Sequence, residues 1–284
     1  MDVKPISLWD VSTYDETLIG ILREHAELIQ AYHATENRLF LDYDYGSKRG
    51  RLEPRPMNRH AEDYCVLEKD IAECLRDRSI RAFHYSRLIC GEVVTLRRDG
   101  IHLSTEETFY ARLAARAAEG LLTSAEVETI HAASPIHNQR ELRTGRFWMT
   151  SHPIPPDDTL VSELLGHWGG ELAYMWLDES SLIAKLQVMG RPRIIEIALP
   201  MAATPDHDAH NAAISALRAF ALHLGCVADK NPVDLCAVRP LPPQVVLAVH
   251  TEGDPAFNGM GRDYPAGYVD TDLGWWKALT GDDH

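Results

Sequence analysis

The sequence predicts an α/β (α+β) protein, and two observations carry that reading. Short stretches rich in β-branched and aromatic residues read as strands: IRAFHYSRLI from Ile80, RFWMTSH from Arg146, RIIEIAL from Arg193, VDLCAVRP from Val233 and VVLAVHTEG from Val245. Between them, apolar residues recur at three- and four-residue spacing, the signature of helices with one buried face. With 284 residues, 45% hydrophobic and 25% charged, the chain is long enough to bury a full core and has the composition of a globular protein.

Taken in order, residues 14–34 place Leu18, Ile21, Leu22, Leu28, Ile29 and Tyr32 at helical spacing, with Asp15 and Glu16 at the positive end of the helix dipole. The Gly-, Pro- and Arg-rich run over 43–60 reads as a basic loop carrying Lys48, Arg49, Arg51, Arg55 and Arg59. A second helix is expected over 62–78 with Cys65, Leu67, Ile71, Cys74 and Leu75 inside. Residues 1–78 therefore form a helical N-terminal region, and a principal domain starts near Ser79 and runs to 284.

That domain opens on the strand holding His84, followed by a short helix that Gly100 ends. Two helices then form an insertion over 104–140; Ser104 with Glu107 reads as the capping box of the first, and Thr123 with Glu126 as that of the second. The stretch from Arg143 to His152 reads as a strand closed by Pro153, Pro155 and Pro156, after which Asp157 or Asp158 caps a helix. ATPDHDAH reads as a loop before a helix over 211–224, and Pro240 to Pro243 as a turn between the last two strands. The tail over 255–284 is expected to cover an edge rather than enter the core.

A formal net charge of −14 repels phosphate backbones and argues against non-specific nucleic-acid binding. Five cysteines without a C-x-x-C pair fit a reducing compartment, the N-terminus lacks a signal-peptide pattern, and no apolar run spans a membrane, so a cytoplasmic protein with no membrane partner is expected. Phosphate-cradle, dinucleotide-binding and nucleophile-elbow motifs are missing, which lowers P-loop NTPases, Rossmann dehydrogenases and α/β-hydrolases.

Two constellations could carry chemistry. On the first strand His84 and Ser86 point to one face, and Phe83, Tyr85 and Arg87 to the other. In the glycine-rich segment around HWGGELAY, Glu163, His167, Glu171 and Tyr174 are spaced four, four and three. On a continuous helix they would form one stripe, either an acid–base relay or ligands of a divalent metal, but Gly166, Gly169 and Gly170 oppose a straight helix. Within DHDAH, Asp206 with His210, or His207 with Asn211, would be four apart on a helix.

The order of His84 on a first strand, a helix closing at Gly100-Ile101, the strand GRFWMT at 145–150 and RIIEIALP at 193–200 resembles the ADP-ribosyltransferase superfamily, particularly its poly(ADP-ribose) polymerase-like branch. The resemblance covers residues 80–255. It implies a split mixed or antiparallel sheet and NAD as substrate. It also implies that His84, with the Ser86 hydroxyl beside it, contacts the nicotinamide ribose, that Phe147, Trp148 and Thr150 line the cleft, and that Tyr174 stacks on nicotinamide; Arg87, at the end of the same strand, is a further cofactor-binding candidate. The family's catalytic glutamate falls near Gln244, which carries no charge, and Glu252 and Glu171 are the substitutes. The implied reaction cleaves the nicotinamide–ribose bond, with a macromolecule or water as acceptor. Bacterial relatives in that superfamily often act as toxins or in defence. Two rivals stand beside it: a metal-dependent hydrolase built on Glu163, His167 and Glu171 with His152 or His250, and a non-catalytic nucleotide sensor or partner-binding module.

Overall fold

The computed structural model describes residues 4–45, 55–228, 232–262 and 281. Helices α1 (Glu16–Glu24) and α2 (Ala26–Leu39) replace the single helix expected over 14–34, with a break at His25. The side chain of Asp15 caps α1 by accepting from the Leu18 amide at 2.9 Å. Of the basic loop, Lys48, Arg49 and Arg51 lie outside the described residues, while Arg55 pairs with Glu36 at 2.5 Å. Helix α3 (Ala61–Arg76) buries Leu67, Ile71 and Leu75 as expected; Cys65 instead faces solvent, the inner stripe being carried by Tyr64.

Strand β1 (Ser79–Leu88) leads into α4 (Cys90–Asp99), which ends at Gly100 with φ 85°. A Cβ at Gly100 would strike the Leu241 carbonyl, so glycine is required there by both conformation and space. In the insertion, α5 (Glu106–Ala118) is capped by Thr105 with Thr108, not by Ser104 with Glu107, because the helix starts one residue later. Thr123 and Glu126 cap α6 (Ser124–Ala132) as expected. A short α7 (Arg140–Arg143) takes the first residue of the expected strand, Arg143, and β2 is confined to Phe147–Thr150.

Asp158 caps α8 (Thr159–Gly166), followed by α9 (Glu171–Tyr174), α10 (Ser180–Val188) and β3 (Arg191–Pro200). Helix α11 (Asp206–His223) begins directly after Pro205 and absorbs DHDAH, which is therefore helix and not loop. Asp206 and Asp208 sit in its first turn, where the dipole favours them. Strands β4 (Asp234–Ala237) and β5 (Val246–Thr251) follow, then α12 (Pro255–Gly259). The start of the tail does enter the core: Phe257 and Met260 are buried against β1 and α8 residues.

The fold is α+β, with one five-stranded antiparallel sheet in the order β4-β2-β1-β3-β5. The β1–β3 ladder is continuous from Ser79↔Pro200 to Leu88↔Arg191, and β2–β4 runs from Phe147↔Ala237 to Thr150↔Asp234. These two ladders meet at a single register pair, Phe83↔Thr150, so β1 and β2 diverge beside His84.

One sheet face, carrying Ile80, Ala82, Ile195, Ile197 and Leu199, packs on α1, α2, α3 and α11 in the main core. The boundary near Ser79 thus marks a change of secondary structure, while the helices before it share the sheet's core. The other face buries Phe83, Tyr85 and Ile194 with Trp9, Val161 and Leu165. The insertion has its own core, in which Phe109, Leu113, Val127 and Ile130 meet Trp168, Leu182 and Leu186. No helix among the described residues is long and apolar enough to cross a membrane.

Candidate functional site

Strand alternation places His84 and Ser86 on the main-core face of β1, and register places Arg193 of β3 opposite Ser86 and Thr251 of β5 opposite Arg193. A polar row, Ser86–Arg193–Thr251, thus crosses three strands next to His84. The Arg193 guanidinium donates to Thr251 Oγ1 at 2.6 Å and to Cys90 Sγ at 3.6 Å. Its Nε is buried and makes no hydrogen bond, and Arg193 has no carboxylate partner among the described residues. A buried cation without a counter-charge is expensive unless an anion arrives to pair with it. Cys90 opens α4, so the same spot lies beside the positive end of that helix.

His84 leans on Phe147, with ring centroids 4.2 Å apart. Its Nδ1 lies 2.8 Å from the Trp148 carbonyl, which only accepts, so Nδ1 carries the proton and Nε2 presents its lone pair. The residue is half-buried by exposed area, but its ring is crowded enough that desolvation brings its pKa down to about 4, with the Arg112 guanidinium acting in the same direction. His84 is therefore a neutral acceptor at pH 7, suited to a hydroxyl donor rather than to an anion.

The other residues expected at this site are dispersed. Arg87 lies on the opposite face, donating to the Met189 carbonyl at 2.9 Å and the Leu165 carbonyl at 3.4 Å. Trp148 is half-exposed, donates to the Leu142 carbonyl at 3.0 Å and lies near Arg146; Thr150 donates to the His152 carbonyl at 2.6 Å. Gln244 is exposed in the 3-10 turn Pro243–Val245, before β5 rather than on it. Glu252 is exposed just beyond Thr251, and strand alternation turns it away from the His84 face.

The HWGGELAY segment does not form one stripe. Helix α8 stops at Gly166, and Gly169, at φ 86° and packed against Ala173, reverses the chain before α9. His167 remains close to Glu163, with Nδ1 3.4 Å from Oε2 and 3.2 Å from the backbone carbonyl, while its Nε2 meets Gln187 Nε2 at 3.0 Å. Tyr174 stacks on His167 at 4.4 Å instead of standing near His84. Glu171 is held by Arg143. His152 is buried against Trp9 and Ser151, and His250 bonds Glu196 at 3.0 Å, so neither joins Glu163, His167 and Glu171. In α11, Asp206 pairs with Arg76 at 2.8 Å and His207 with Asp208 at 3.2 Å.

Two ionic groups escaped the sequence reading. Glu196 bonds His250 and pairs with Arg81 at 2.9 Å on the face opposite His84; the His250 bond leads in lowering its pKa. Its signal was a charge in the middle of an apolar strand. Glu92 accepts from Arg112 at 2.5 Å, from Trp168 Nε1 at 3.0 Å and from the Ile89 amide at 2.9 Å, and Arg112 lies 4.6 Å from the Trp168 ring centre. Its pKa is lowered because these positive and hydrogen-bonding partners outweigh burial, the largest single influence, which acts upward. Compared with models of protein families, with curated proteins and with solved structures, the chain matches none.

Proposed function

We propose that the protein is an ADP-ribosyltransferase-like enzyme that binds NAD on the His84 face of the sheet and cleaves the nicotinamide–ribose bond. The observation that carries this reading is the juxtaposition of His84, a neutral acceptor with its lone pair at Nε2, and Arg193, a buried cation lacking a carboxylate partner among the described residues. A ribose hydroxyl fits the first and a pyrophosphate the second, with Phe147 as an aromatic wall. In this reading Ser86 and Thr251 complete the polar row, and a carboxylate, Glu171 or Glu252, swings in to stabilise the oxocarbenium-like cation. The acceptor would be a macromolecule or water, consistent with a role as a toxin or defence factor.

A second reading, a nucleotide sensor that binds without turnover, is favoured by the Arg143 clamp on Glu171 and the outward position of Glu252. One experiment separates the readings. Full-length protein is incubated with NAD, free nicotinamide is quantified by chromatography, and NAD and ADP-ribose binding are followed by calorimetry. Nicotinamide release that falls at least about tenfold in His84→Ala and Arg193→Gln supports the enzyme. Binding without release supports the sensor. Neither binding nor release refutes both.

A further inference from the structure

We propose that Glu106, His131 and His137, all in the helical insertion, form a binding site for one divalent first-row transition metal ion, of which zinc(II) suits the donors best. The proposal is independent of NAD chemistry, and its three residues come from two helices and a 3-10 turn rather than from the sheet. One ligand atom from each residue can be chosen so that all three lie within 4.8 Å of one another, and among the described residues this is the group that meets that spacing. A tetrahedral zinc with bonds of ~2.0–2.1 Å holds its ligand atoms roughly 3.3 Å apart, so small side-chain rotations close the site.

The hydrogen bonds around the three residues favour a cation. His137 Nε2 lies 2.8 Å from the His131 carbonyl, so that nitrogen carries the proton. The lone pair is left on Nδ1, which faces Glu106 Oε1 at 3.8 Å. A ligating histidine commonly has its other nitrogen held by a carbonyl in this way, because the bond fixes ring and tautomer. His131 Nε2 is buried and makes no hydrogen bond, an unusual position for an imidazole nitrogen unless something else pairs with it. Arg140 stands 3.7 Å from the second Glu106 oxygen, Oε2, and can orient the carboxylate with Oε1 toward the histidines. Arg140 is also a positive charge that a metal ion would have to tolerate; its side chain is 72% exposed, which screens it.

The supports are separate and fixed. Glu106 begins α5 behind the Thr105 cap, His131 lies in the last turn of α6 with its ring edge-on to Tyr110 at 5.0 Å, and His137 closes the 3-10 turn Pro135–His137 capped by Ser134. Two imidazoles and one carboxylate suit zinc, and three protein ligands leave a position for water or another donor. The ion would tie the start of α5 to the end of α6 and to the turn beyond it.

The test uses untagged full-length protein, stripped with chelator and titrated with zinc(II) by calorimetry, with metal content measured after dialysis. One zinc per chain is expected, with affinity reduced at least about tenfold in His131→Ala, His137→Ala and Glu106→Gln and unchanged in His207→Ala on α11. Cobalt(II) in place of zinc should give visible d–d absorption that these three variants lose. Should His131→Ala fail to fold, His137→Ala and Glu106→Gln decide, since their side chains are partly exposed. Absence of stoichiometric zinc binding, or binding undiminished in His137→Ala and Glu106→Gln, would overturn the proposal.

Discussion

Lowering the pH from 7 to 5 should cost this fold about 4 kcal/mol through two histidines alone. His33 and His152 are 7% and 2% exposed, and burial brings each pKa from 6.5 to about 4, with the Arg218 guanidinium adding to the effect at His33. Both rings are neutral in the native state, whereas the unfolded chain protonates them near 6.5. The unfolded state therefore holds more protons between those values. Stability is full above pH 6.5, falls as pH drops towards 4, and levels off below. At pH 5 each histidine contributes a loss of about 2 kcal/mol, a large share of the ~5–15 kcal/mol that typically holds a domain. His84 moves in the same direction, weakened by solvent at its half-buried position.

The carboxylates with lowered pKa values, Asp15, Glu92 and Glu196, act in a different window: their stabilisation is present above the unfolded carboxylate values and is lost as pH falls through the folded ones. The assay is urea unfolding at pH 7, 6 and 5 for the wild type and for His33→Gln/His152→Gln. The double variant starts less stable at pH 7 but should lose little further stability by pH 5. A wild type that loses under about 1 kcal/mol, or a double variant with the wild-type slope, refutes the reasoning.

Glu92→Gln removes the counter-charge of Arg112 and nearby Arg116 beneath Trp168 and should cost about 3 kcal/mol in a denaturant melt, with little recovery in high salt. Gly100→Ala forces a side chain into positive φ and into the Leu241 carbonyl, and a fall in stability of at least about 2 kcal/mol is expected by thermal unfolding. Leu186→Ala opens a cavity in the insertion core at a fully buried site and should cost about 2–5 kcal/mol in the same assay.

The central strands were legible because they are dense in branched and aromatic residues, and Gly100 because a positive-φ glycine at a helix end leaves a clear mark. Strand alternation puts His84 and Ser86 on one face, as the pattern of the segment predicts. Boundaries were less legible where two residues compete for one role: Ser104 and Thr105 both offer a hydroxyl, but Ser104 is bridged to Arg146 and Thr105 caps the helix. DHDAH looked like a loop because its residues are polar, yet its acids stabilise a helix start once Pro205 fixes the entry. The stripe from Glu163 to Tyr174 relied on one continuous helix, and Gly169 denies it. Glu106, His131 and His137 come together only through the packing of α5 against α6, so no spacing in the chain announces them.

The β1–β3 ladder joins strands separated by about a hundred residues, which places the centre of the sheet among the slow, long-range contacts of the chain. Closing a flexible loop of that length costs about 4 kcal/mol in entropy before any strand pair rewards it. The intervening segment carries its own apolar cluster, so its early condensation would bring the two strands within reach. Folding speed should then depend on residues that never touch the sheet's main core. A φ-value for Leu186→Ala near zero in stopped-flow kinetics would remove that connection.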